Sequence, residues 1–293
     1  MTVRRALRLV PVPMSGMNML TLTNEWTEAI AGWEEELRAA GRPGTTRYLR
    51  TYHLRRLAHD HSEHEPHQMT HGLLVAWMAR HDWSPETRRS YRASLRLFYR
   101  WLHATGRSAT DISYSLPTIA VPRALPRPCP TEVLLLAKRM AATDLRMRLM
   151  LLVLSETGMR RGELARLHTE HLEQDLDGWS LRVVGKGGRV RLIPLTEDLA
   201  RVLRLLPPGF AFPGQIDGHL SAAYVGKLVS AALGQGYTAH TLRHRFASLA
   251  YAVERDLRAV QELLGHASVT TTQIYTAVPA DARRRAVLGA VAA

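Results

Sequence analysis

The sequence predicts a mainly α-helical protein with a small β-hairpin, an α+β chain divided into a helical domain and a larger second domain. Three features of its 293 residues carry this reading. Apolar residues recur at three- and four-residue spacing through most of the chain. Two short runs, residues 179–184 and 189–194, alternate with period two around Gly185-Lys186-Gly187-Gly188, the pattern of a hairpin. Residues 116–130 contain Pro117, Pro122, Pro126, Pro128 and Pro130, which deny that stretch regular structure and make it a semi-rigid linker. Hydrophobic residues make up 46% of the chain, enough for a core on each side of the linker.

In chain order, residues 1–20 carry Arg4, Arg5 and Arg8 without periodicity and are expected to form a flexible basic lead-in. Residues 21–115 form the helical domain. An acidic helix runs from Asn24 until Gly41, Pro43 and Gly44 stop it. A second begins near Thr45 and carries Arg47, Arg50, Arg55 and Arg56, with Tyr48, Leu49 and Tyr52 expected on its apolar side. His53, His59, His61, His64, His67 and His71 cluster around its end. His67 and His71 have the i, i+4 spacing that a metal can use, but no cysteine accompanies them and the other spacings are irregular. A polar, protonatable connector and no metal site are therefore expected. After a short apolar helix, Ser84-Pro85 supplies an N-cap and a first-turn proline for a long one. On it Arg88, Arg92, Arg96 and Arg100 recur every fourth residue, opposite Tyr91, Leu95, Phe98 and Leu102. Four arginines without acidic partners one turn away point to an anionic ligand.

Beyond the linker, residues 131–293 form the second domain. Residues 131–140 and 144–157 read as helices, the latter apolar nearly all round and so central to a core, with Gly158 as its stop. Arg160 follows on a turn, and a short helix is expected over residues 162–168. After the hairpin, Thr196 caps a helix that ends before Pro207-Pro208-Gly209, and another spans about residues 222–233. His240 and Arg243 then stand one helical turn apart, so that both side chains can converge on one anionic group. Gly265 is the expected stop of the helix over residues 257–264, which puts His266 on a turn, and Tyr275 ends the next short helix.

The formal charge of +13 divides evenly, with +7 on residues 1–127 and +6 on residues 128–293, as expected if both halves contact a polyanion such as DNA. The single cysteine, Cys129, has no internal disulfide partner, and no cysteine-histidine finger spacing exists. The longest apolar run, residues 149–154, is far too short to span a membrane, and no signal core opens the chain. A cytoplasmic location is expected, with no membrane partner.

Arg160 in TGMRRGEL, Lys186 at the GKGG tip, His240 and Arg243 in HTLRH, His266 closing LLGH and Tyr275 in TTQIYT form one ordered constellation. In this the chain resembles the tyrosine recombinase, or phage integrase, family. The helix RRSYRASLRLFYRWL is similar to the last helices of that family's core-binding domain. Few residues precede Asn24, so the plan resembles the compact Xer-like or simple-integrase type without an added arm-binding domain.

The resemblance implies a site-specific recombinase acting in DNA integration, excision or dimer resolution. Tyr275 would attack a scissile phosphodiester to form a 3′-phosphotyrosine intermediate and release a 5′-hydroxyl, which a partner strand's hydroxyl later reverses, so no ATP, metal or cofactor is expected. Arg160 and Arg243 would clamp the non-bridging oxygens with His266, His240 would accept or relay the tyrosine proton, Lys186 would protonate the leaving oxygen and Glu163 would orient the cluster. The DNA-binding set is Arg47, Arg50, Arg88, Arg92, Arg96 and Arg100. Expected partners are double-stranded DNA with inverted half-sites, a homo-tetramer in the synaptic complex packed through residues 279–293, and accessory directionality proteins. Strand relaxation of the type IB topoisomerase kind and an inactive DNA-binding protein on the same scaffold are the competing readings.

Overall fold

The computed structural model describes residues 22–120, 127–185 and 188–265. It is mainly helical with one small antiparallel sheet, and it divides into two compact units, Met1–Arg123 and Ala124–Ala293.

The first unit contains α1 (Asn24–Ala39), α2 (Gly44–Asp60), α3 (His71–Arg80) and α4 (Pro85–Ala104). The N-cap signals act as their chemistry dictates. Ser84 Oγ accepts from Thr87 N, and Thr23 and Thr70 cap α1 and α3 in the same way. Tyr91, Leu95, Phe98 and Leu102 of α4 pack against Trp26, Trp33, Leu54 and Trp77 in one core. Trp33 meets the Phe98 ring edge-on at 5.5 Å, and Trp83 stacks on Tyr91 at 3.9 Å.

The buried side of α2 differs from the expected one. Tyr48 and Leu49 are exposed, and the face that enters the core carries Thr51, His53, Leu54, Leu57 and Ala58. The apolar count on the two sides is similar, so the choice falls to the neighbours: α4 presents Ser94, which accepts from Arg50 Nη1 at 2.9 Å and shares a 2.6 Å hydrogen bond with His53 Nδ1. The histidine connector also departs from helical spacing. His67 pairs with Glu25 at 2.9 Å, while His71 opens α3 and donates through Nδ1 to the Ile112 carbonyl at 3.0 Å, so the two do not share a ligand.

The second unit is built on α6 (Leu145–Thr157), packed against α5 (Thr131–Met140), α9 (Ala222–Leu233) and α10 (Ala239–Glu254). Met150, Leu151, Val153 and Leu154 of α6 are fully buried. Gly158 ends it at φ 61°, and a side chain there would place Cβ 2.4 Å from Phe246, so only glycine fits. The five-residue α7 (Arg161–Ala165) is shorter than expected; Leu167 returns its carbonyl to Ala211, so the chain leaves the helix early.

The hairpin is β2 (Trp179–Val184) with β3 (Val190–Pro194), in the register Leu181↔Ile193 and Val183↔Arg191. A third strand, β1 (Leu172–Gln174), extends the sheet in the order β1-β2-β3. It carries no alternation of its own over three residues and was not legible in the sequence. The same holds for the short β4 (Pro213–Ile216). The helices α8 (Glu197–Arg204) and α11 (Leu257–Leu264) complete the unit, the latter capped by Gly265 at φ 64°. No helix among the described residues is long and apolar enough to cross a membrane.

Burial, with the charges of Arg50 and Arg56, lowers the pKa of His53 to about 4. The unfolded chain therefore binds more protons than the folded one between about pH 4 and 6.5, and stability falls as pH falls through that window, by up to about 3 kcal/mol. Urea denaturation of wild type and His53→Asn across pH 4–7 is expected to give a visibly flatter acid limb for the variant.

Candidate active site

The buried carboxylate of Glu163 gathers the site. It lies at the third position of α7, where Oε2 accepts from Arg160 N at 2.8 Å, and Oε1 accepts from Arg160 Nη1 at 2.7 Å. Arg191 closes the other side with two parallel bonds, Nη1 to Oε1 at 3.0 Å and Nη2 to Oε2 at 2.7 Å. Hydrogen bonds and charges from Arg191 and Arg160 overcome the opposing effect of burial and hold the Glu163 carboxyl at about 2.

Arg191 was not anticipated, although the sequence contains its signal. Strand β3 alternates, and Ile193 points into the core, so Arg191 two residues earlier must point the same way. A guanidinium on the inner face of a sheet requires buried acceptors, of which a carboxylate fits its fork best. Arg191 also donates Nε to Leu263 O at 2.8 Å, fastening the C-terminal turn of α11 to the hairpin. A Cβ on Gly185 would lie 3.5 Å from Glu163 Oε1, so the start of the hairpin's tip loop passes close to the same carboxylate.

Arg243, only 2% exposed, projects from the second turn of α10 and donates to two helix-end carbonyls: Gly158 O at 2.7 Å and Leu264 O at 2.6 Å. Both carbonyls belong to C-terminal turns, where partial negative charge accumulates. His240 lies one turn before it, preceded by the Thr238 cap, whose Oγ1 accepts from His240 N at 3.2 Å. Burial and the neighbouring charges of Arg243 and Arg160 lower the pKa of His240. The His244 ring meets His240 edge-on at 4.3 Å and has its own pKa lowered to about 4, by burial and then by His240 and Arg243.

Arg160, His240 and Arg243 line one cavity of about 610 Å³. Arg161 and Lys227 line it as well, and neither was singled out from the sequence. The signals were there: Arg161 adjoins Arg160 in TGMRRGEL, and Lys227 is one of three lysines in the chain. Gly226 makes room for Arg161, whose Nη1 and Cδ lie 3.1 and 3.2 Å from where a Cβ would stand. The cavity thus presents guanidinium, ammonium and imidazole groups carried on or beside helices, a set suited to an anionic tetrahedral group. Lys186, His266 and Tyr275 lie outside the described residues, as do residues 279–293.

The basic residues of the first unit fall into two groups. Arg50 donates to Ser90 O and Ser94 Oγ, Arg88 to His81 O at 2.9 Å, and Arg92 to Leu116 O at 3.2 and 2.8 Å. Arg47 donates to Arg42 O at 2.8 Å and lies 3.9 Å from Glu34. Arg96 and Arg100 line an open cavity of about 400 Å³ with Asp111 and Tyr114, at whose edge Arg92 also stands.

Residues 130–281 match the sequence model of the phage integrase family. The chain is 35% identical over 208 residues to the tyrosine recombinase XerC of Xanthomonas campestris pv. campestris strain B100, covering 66% of this chain and 64% of that protein. It is 34% identical over 220 residues to the XerC of Pseudomonas putida, covering 69% of this chain and 73% of that protein. The chain thus spans a little under two thirds of the length of the first relative. Its fold is shared with the XerH site-specific recombinase bound to a palindromic difH substrate, in a post-cleavage complex (TM-score 0.68, 23% identity, 90% of this chain and 86% of that one). It is shared also with a lambda integrase dimer bound to a COC′ core site (TM-score 0.69, 18% identity, 85% and 76%).

Removing one partner of a buried ion pair strands the other charge. Glu163→Ala is expected to cost about 3–5 kcal/mol in urea denaturation. The double change Glu163→Met with Arg191→Met is expected to cost clearly less than the two single changes added together.

Proposed function

The chain belongs to the phage integrase family of tyrosine recombinases, and on that premise we propose that it is a site-specific DNA recombinase that cuts and rejoins strands through a 3′-phosphotyrosine. The observation that carries the reading is the convergence of Arg160, His240 and Arg243 on one cavity, with Arg160 held by the buried Glu163 and Arg243 by two helix-end carbonyls. Tyr275 Oη forms a bond to the scissile phosphorus while the bond from phosphorus to the 5′-oxygen breaks. The tyrosine proton passes to His240, and Lys186 delivers a proton to the departing oxygen. Charge gathering on the non-bridging oxygens is met by Arg160, Arg243 and His266. A 5′-hydroxyl from the partner strand runs the same steps backwards, so the phosphodiester energy is conserved without ATP.

Tyrosine is protonated at neutral pH and needs a base, and the lowered pKa of His240 supplies a neutral imidazole there. The substrate is double-stranded DNA with inverted half-sites, acted on by a tetramer whose protomers pack through residues 279–293.

The test is covalent trapping on nicked DNA from a genomic library. Wild type is expected to link to fragments at a few shared inverted repeats, and Tyr275→Phe to link to none. Adducts scattered without a site would favour strand relaxation, and none with wild type would point to an inactive DNA-binding protein. For the wild-type enzyme, the acid limb of kcat/KM for cleavage, which reports the free enzyme, is expected below pH 6.5. A limb at or above that value would remove His240 as the base.

Arg96 and Arg100, which line an open cavity, are the strongest candidates for phosphate contacts in the first unit. Arg96→Ala and Arg100→Ala are expected to weaken DNA binding and each lower its salt slope by about one, without loss of stability. Arg50→Ala, which strips donors from Ser90 and Ser94, is expected to lower stability by about 1–3 kcal/mol.

A further inference from the structure

The turn that ends α2 holds a side-chain cluster that strand transfer does not use. Helical geometry stops at Asp60, and His61 takes φ −135° and ψ 50° as the cap. The chain then folds back so that His64 N donates to His61 O at 3.1 Å. In the sequence His61-Ser62-Glu63-His64, this turn brings one ligating atom from each of His61, Glu63 and His64 within 4.8 Å of the others. Glu63 Oε1 lies 3.6 Å from His61 Nδ1 and 3.1 Å from His64 Nδ1.

Those separations suit a metal. Two ligands on a tetrahedral zinc ion, with bonds of about 2.0–2.2 Å, stand about 3.3–3.6 Å apart. The donor set of two imidazoles and one carboxylate suits first-row ions of the zinc class, and the magnesium and calcium ions prefer oxygen alone. His61 is 6% exposed, and its Nε2 is buried without a hydrogen-bond partner, while the buried Nδ1 of His64 has the Glu63 carboxylate at 3.1 Å beside it. Buried imidazole nitrogens usually find a partner, so His61 Nε2 is unsatisfied by the protein itself. Glu63 is exposed and opens the cluster to solvent, where water can complete the coordination.

The turn is also held in advance of any ligand. Trp26 Nε1 donates to His64 O at 2.8 Å, and Trp77 Nε1 donates to Asp60 Oδ2 at 2.8 Å, so two core indoles pin the residues on either side. Arg80, whose charge reaches His61, is neutralised by Asp60 at 3.3 Å. From the ligand separations, the donor types and the pinned backbone, we propose that His61, Glu63 and His64 bind a divalent transition-metal ion of the zinc class. The ion fastens the C-terminal turn of α2 and takes no part in strand transfer.

The untagged full chain, stripped with a chelator, would be titrated with ZnCl2 by calorimetry, with bound zinc counted by atomic emission and folding checked by circular dichroism. Wild type is expected to take up one ion saturably. Glu63→Gln and His64→Ala should each weaken that binding at least about tenfold. His67→Ala, in the same connector but paired with Glu25, should bind as wild type does, and MgCl2 should give no saturable heat. Equal zinc binding by wild type and both variants, or no saturable binding by wild type, overturns the proposal.

Discussion

One buried carboxylate sets the geometry of the second unit's functional face. A carboxylate at the depth of Glu163 would be strongly unfavourable alone. It is stable because four N–H donors from Arg160 and Arg191 meet its two oxygens, and those donors come from different elements. Satisfying the carboxylate therefore fixes where α7 stands relative to the β2–β3 hairpin. Through the Nε bond of Arg191 to Leu263 it fixes the end of α11 too. The chain segments that lead into Lys186 and His266 start from backbone that this ion pair has anchored.

Arg243 applies the same logic with carbonyls in place of a carboxylate. The ends of α6 and α11 expose backbone oxygens that must be satisfied, and its guanidinium bonds one from each. Its orientation is thus set by the protein's own helix ends. Gly158 makes the arrangement possible, because a side chain there would collide with Phe246 on the helix that carries Arg243.

Much of the fold was legible because its signals are local. Caps, glycine stops and the period-two hairpin act within a few residues, and α4 buries the very side its periodicity marks. The burial of α2 was not legible, since His53 enters the core only because Ser94 of another helix satisfies it, while Thr51 bonds back to the Arg47 and Tyr48 carbonyls of its own helix. The arginine stripe was legible as a pattern but not as a division of labour. Arg92 bonds the Leu116 carbonyl while lining the same open cavity as Arg96 and Arg100, so how far each arginine is engaged depends on which loop carbonyls come within its reach.

The sequence by itself determined most of the helices and the β2–β3 hairpin, the order of the constellation from Arg160 to Tyr275 and the family to which they point, because cap, turn and motif chemistry is written in short spacings. Only the tertiary structure decided that Arg191 belongs with Glu163, that Arg161 and Lys227 share the cavity of His240, and that His61 faces His64 rather than His67 facing His71. Those pairings join residues far apart in the chain, or turn on where a helix stops. Their free energy comes from burial and from donors meeting acceptors across elements, which no spacing along the sequence encodes.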